Sequence, residues 1–73
     1  MPKGIELKFA GRLRELRAKY GYTQQRLSEI ARVDYKHIQR LESKKPSVIR
    51  IDTAEKIAHA FKISISQLMN FDE

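Results

Sequence analysis

Apolar residues recur at helical spacing along most of the chain, and no stretch keeps the two-residue alternation of a half-buried strand. Ile5, Phe9, Leu13, Leu16 and Tyr20 fall three and four apart and predict a first helix over residues 5–20. Gly11 weakens that helix from within, so close packing against a neighbour is the expected compensation. Gly21 suits a left-handed cap, and Arg14, Arg17 and Lys19 lie where cations complement the helix dipole. Thr23 and Asp34 are good N-caps for two short helices, the first burying Leu27, Ile30 and Ala31, the second Ile38 and Leu41. Ser43, Lys44, Lys45 and Pro46 break the pattern. A fourth helix is predicted from Asp52, where DTAE reads as a capping-box variant, with Ala54, Ile57, Ala58 and Phe61 on its apolar face. Ser64 and Gln67 form another box, opening a short last helix with Ile65, Leu68 and Met69. The expectation is one all-α domain of five helices over residues 1–73, with residues 1–4 as an unstructured lead-in.

The centre of the chain, TQQRLSEIARVDYKHIQRLE at 23–42, holds two of these helices separated by a turn of about four residues. The second keeps Tyr35, Lys36, Gln39 and Arg40 on a polar face and Ile38 and Leu41 on an apolar one. A short helix with that display, held at an angle to a supporting helix, fits a DNA major groove. Lys and Arg number 15 against 9 Asp and Glu, a net charge of +6, which favours nucleic acid or an acidic surface as partner but is weak taken alone. With 73 residues the chain has room for one small core, burying roughly 60% of the unfolded surface. There are no cysteines for a disulfide or a thiolate zinc site, and His37 and His59 lack companion ligands, so no metal or cofactor is expected. No run approaches the roughly 18 apolar residues of a membrane span and no signal peptide is evident, so a cytoplasmic protein is expected. No nucleophile–base pair, glycine-rich phosphate loop or paired carboxylates argue for an enzyme.

The segments GRLRELR at 11–17, GYTQQRLSEIARV at 21–33, IQRLESKK at 38–45 and TAEKIAHAFKISISQLM at 53–69 occur in that order. Together, residues 9–69 resemble the XRE family of helix-turn-helix proteins, which includes phage repressors, Cro proteins and small bacterial regulators. The resemblance implies a compact five-helix lambda-repressor-like domain, its helix-turn-helix at about 24–43 and its third helix in the major groove. It implies base contacts from Tyr35, Lys36, Gln39 and Arg40. The chemistry agrees: Arg40 can pair with guanine, Gln39 with adenine, Lys36 with guanine or phosphate, and Tyr35 with a thymine methyl group. Asp34 is better read as a cap, worth roughly 1 kcal/mol, since phosphate repels it. Gln24 matches a family glutamine that meets a phosphate at the start of helix two. Gln25, His37, Ser43, Lys44 and Lys45 are further phosphate candidates, Gln25 being equally compatible with plain surface and His37 better read as an ordinary surface or partly buried histidine. Arg17 and Glu42 match a family pair that anchors helix three to helix one. If that pair is buried, losing one partner costs on the order of 3–5 kcal/mol. If it is exposed, the loss is below about 1 kcal/mol.

Some positions depart from the family pattern. Ser28 replaces the usual alanine, and Arg32 stands where glycine is common. A left-handed Arg32 would cost roughly 1 kcal/mol, so a different turn or a supporting contact is implied. The loop PSVIRI at 46–51 is more apolar than a connection needs; Val48 and Ile49 pack beneath it or meet a second subunit, the first being favoured. A homodimer is expected, because palindromic operators are read by two-fold pairs. Ile65, Met69 and Phe71 are the expected isologous contact, the alternative being that they complete the monomer core. Double-stranded DNA is the expected partner, and the rival reading is an antitoxin or adaptor whose main partner is a protein such as a toxin or polymerase.

Overall fold

A computed structural model describes residues 4–70, which form five helices: α1 (Gly4–Tyr20), α2 (Gln24–Ala31), α3 (Tyr35–Leu41), α4 (Ile51–Ala60) and α5 (Ile65–Leu68). Gly4 is already helical, one residue before the spacing predicts, and residues 1–3 of the expected lead-in lie outside the described residues. Phe9, Ala10, Leu13 and Leu16 bury the middle of α1. The ends of the predicted stripe do not follow: Ile5 is 63% exposed and Tyr20 39%. A 17-residue helix is about 25 Å long and outruns so small a core. Tyr20 instead leans on the rings of Tyr22 and Phe61, at 5.9 and 5.1 Å between centroids.

Three predicted helix starts hold. Thr23 accepts from the Arg26 N–H at 3.0 Å, and Asp34 accepts more weakly from Lys36 at 3.4 Å. Ser64 and Gln67 close a reciprocal box, each bonding the other's backbone N–H at 3.0 Å. α4 corrects the prediction: it opens at Ile51 behind Arg50, which makes no side-chain cap. Asp52 sits inside the first turn, where its carboxylate accepts from the Thr53 N–H at 2.9 Å and complements the dipole. The Ala54 N–H reaches the Arg50 carbonyl at 2.9 Å, so the first turn closes two residues before the apparent box.

Three helices end alike. Gly21, Arg32 and Lys62 have φ of 73°, 60° and 59°. The residue after each donates its N–H five residues back: Tyr22 to Arg17 at 2.9 Å, Val33 to Ser28 at 3.1 Å and Ile63 to Ala58 at 3.0 Å. Tyr22, Val33 and Ile63 all pack on the core, so an apolar anchor follows each turn. Arg32 therefore adopts the left-handed turn itself, not the different one expected, with its side chain exposed, and it keeps the strain a glycine would avoid. Lys62 does the same at the end of α4, which its sequence context does not signal.

The core is one cluster: Leu13, Leu27, Ile38, Leu41, Ile57, Phe61 and Leu68 are fully buried. In the connection between α3 and α4, Pro46 is buried and Ile49 packs on that cluster. Val48 does not, at 67% exposed, which corrects half of the expected packing. Gly11 has no close neighbour either: a Cβ there would meet only the Arg14 Nη2, at 4.0 Å. Its helical cost is thus uncompensated, and Gly11→Ala is expected to stabilise the fold by about 0.5–1 kcal/mol. Arg32→Gly is expected to add about 1 kcal/mol by relieving the left-handed turn. In thermal unfolding each kcal/mol should raise Tm by about 4–8 °C, and a lower Tm in either variant contradicts these assignments.

Candidate nucleic-acid interface

α3 divides cleanly between core and solvent. Ile38 and Leu41 are fully buried, while Tyr35, Lys36, Gln39 and Arg40 are exposed on the other side of a helix about 10 Å long. All four predicted base-reading residues thus share one face. His37 is half-buried at its edge.

Glu42, the residue that ends α3, holds this face in place. Its side chain is 2% exposed, and Arg17 grips it with two bonds, Nε to Oε2 at 2.7 Å and Nη2 to Oε1 at 2.9 Å. Gln24 Nε2 donates to the same Oε1 at 3.0 Å. Arg17 Nη1 turns to the Tyr22 carbonyl at 2.9 Å, so one guanidinium joins α1, the turn before α2, and α3. The hydrogen bonds to Glu42 hold Arg17 above its already high ordinary pKa, making it a permanent cation. The pair is thus buried on one side: the Glu42 carboxylate is enclosed, while the Arg17 side chain is 20% exposed. Arg14, also from α1, donates Nη1 to the Glu42 carbonyl at 2.7 Å. Arg14 and Arg17 therefore reach across to the end of α3 rather than serving their own helix terminus. Only the pairing of Arg17 had a sequence signal; the bond from Arg14 is a tertiary contact to a backbone oxygen, which no local pattern marks.

The phosphate candidates divide by what their donors already do. Gln24 is half-buried with one amide proton on Glu42, and the second remains for a ligand. Gln25 beside it is exposed. An open cleft of about 480 Å³ lies at the start of α2, with Arg17, Tyr22, Gln24, Gln25 and Tyr35 among its walls. Beyond α3, Ser43 gives both its hydroxyl (2.8 Å) and its N–H (3.2 Å) to the Arg40 carbonyl. Lys44 and Lys45 are exposed there as the available cations. His59 lies exposed on α4, and among the described residues no group of His, Cys, Asp and Glu is placed to hold a metal ion. Nor is any described helix long and apolar enough to cross a membrane.

The helix-turn-helix family model matches residues 13–68, from the middle of α1 to the end of α5. The chain belongs to the XRE-type helix-turn-helix family. This is a family of DNA-binding transcription regulators, and the five-helix architecture agrees with it. No curated protein and no solved structure matches the chain significantly. Within the matched region, the Arg17–Glu42 pair fixes α3 to α1.

Because the Glu42 carboxylate is buried, Arg17→Ala leaves it without its cation and should cost on the order of 3–5 kcal/mol. That is comparable to the whole stability of a domain of this size. Urea unfolding should show a large fall in midpoint, and a loss below about 1 kcal/mol would mean the pair behaves as a solvated one.

Proposed function

We propose that this domain binds a specific double-stranded DNA site as a homodimer and controls transcription by occupying it, with α3 in the major groove. The observation that carries this reading is the face of α3: Tyr35, Lys36, Gln39 and Arg40 exposed together on a helix whose end is locked by a buried ion pair. Arg40 supplies the bidentate contact to guanine and Gln39 the one to adenine; Lys36 and Tyr35 read or brace the neighbouring steps. Gln24 and Gln25 meet phosphate at the start of α2, and Lys44 and Lys45 meet it beyond α3, with His37 and Ser43 at the margin. The protein acts in the cytoplasm, on the chromosome or a resident phage or plasmid.

The dimer rests on exposed aliphatic side chains. Ile51 is 82% exposed, Val48 67% and Ile65 37%, and an isologous contact would take this apolar surface out of water. Met69 is half-buried against the monomer's own core and contributes at most its edge; Phe71 lies outside the described residues. Two copies of α3 then enter successive grooves about 34 Å apart. The same exposed Ile51 and Val48 favour a second reading, an antitoxin or adaptor in which a toxin or polymerase covers them.

Selection from random duplexes should return a palindrome with half-sites one helical turn apart. Arg40→Ala should lose about 1–3 kcal/mol on the selected site and relax preference at one base pair per half-site. Unchanged affinity and preference in that variant would remove α3 as the reading element. Sedimentation at micromolar concentration should show a dimer that Ile51→Ser weakens; a monomer with and without DNA sinks the two-fold arrangement.

A further inference from the structure

A second cleft, also of about 480 Å³, opens beyond the C-terminal end of α3. Leu7, Ala10 and Arg14 of α1 form one wall, and Glu42, Ser43 and Lys44 the other. Leu7 is 41% exposed and offers an apolar surface, with Ala10 buried behind it. Arg14 and Lys44 bring two cations to this space. Among the described residues the only acid in its walls, Glu42, turns its carboxylate into Arg17 and Gln24 and does not cancel them.

Arg14 is unusually well prepared for a ligand. Its guanidinium lies back along α1 past Gly11 and gives one N–H to the Glu42 carbonyl at 2.7 Å. That acceptor is neutral, so the positive charge is not offset, and four further N–H donors remain. The side chain is already ordered, so a ligand that meets it forfeits little further rotamer freedom. A planar fork held in this way matches phosphate geometry better than a free lysine does.

We propose that this cleft takes one sugar–phosphate unit of bound DNA, the phosphate between Arg14 and Lys44 and the deoxyribose against Leu7. The proposal rests on the DNA-binding reading above and extends it to a residue of α1, outside the helix-turn-helix. A helix in the major groove runs between two backbone strands. The cleft at the start of α2 meets one of them and the Arg14 cleft meets the other, which fixes the register of α3 from both sides.

Arg14→Gln keeps a donor for the Glu42 carbonyl and removes the charge, whereas Arg14→Lys keeps the charge. Binding of each to a random-sequence duplex is followed by fluorescence anisotropy across roughly 50 to 200 mM salt. The Gln variant and Lys44→Gln should each flatten the log–log salt slope by about 0.9, and Arg14→Lys should retain the parent slope. Thermal melting of all three alongside the parent separates lost contact from lost fold. Should Arg14→Gln melt early, its slope is read below its own melting temperature, where the folded variant should still show the flatter line. A parental slope in the Gln variants overturns the proposal, and so does an equal loss of affinity in the Gln and Lys variants at unchanged slope, which marks Arg14 as a positioning residue only. A parent that fails to bind duplex DNA defeats the function itself, a result distinct from a parent that binds while Arg14 is silent.

Discussion

The fold turns on one buried carboxylate. Taking a charge out of water costs several kcal/mol unless its lone pairs are matched, and Glu42 is matched by three hydrogen bonds from two side chains. Those side chains come from α1 and α2, whereas Glu42 ends α3, so satisfying one group fixes three helices relative to one another. α3 has seven residues, too few to persist as an isolated helix in water. Its existence and its angle are both imposed from outside, by Ile38 and Leu41 in the core and by Glu42 at its end. The exposed face of α3 is held rigid because the opposite face and the terminus are fully committed.

The same arrangement redistributes the charge that the composition reports. Three arginines of α1 do structural work: Arg12 reaches the Gln67 carbonyl at 2.8 Å, Arg14 the Glu42 carbonyl and Arg17 the Glu42 carboxylate. Of these only Arg17 meets a full compensating charge at close range in the interior. The net charge of +6 is therefore not simply a solvated surface field. Part of it is built into the joints between α1 and the ends of α3 and α5, and the freely exposed remainder includes Lys36, Arg40, Lys44 and Lys45 along the proposed DNA side.

What the sequence revealed and what it concealed follow from the range of the interactions. Thr23, Asp34 and the Ser64–Gln67 box act within four residues, and their helices start where those residues say. Asp52 misled because a carboxylate in a first turn and one at an N-cap leave the same residue types in order; only the bond from Ala54 to Arg50 tells them apart. Arg32 was legible as a conflict, a side chain where the backbone needs φ above zero, and the structure keeps the conflict rather than avoiding it. Arg12 and Arg14 were not legible at all, since their partners are backbone oxygens 55 and 28 residues away and every residue offers such an oxygen. The polar face of α3 was clear from the spacing of Ile38 and Leu41, but the cleft beside Arg14 exists only once α1 and the turn after α3 are brought together.

The family's common region begins at residue 13, yet α1 starts at Gly4. The nine residues between carry Phe9 and Ala10, which are 2% and 1% exposed, and Arg12, which clasps α5. Trimming the chain to the shared boundary would uncover the hydrophobic surface beneath Phe9, a loss of about 1.5–3 kcal/mol from that ring alone. It would also remove Leu7 and Ala10 from the cleft wall and free the last helix from its clasp. The segment ahead of the matched region is thus a keel for it: the leading turns of α1 stiffen the unit they precede.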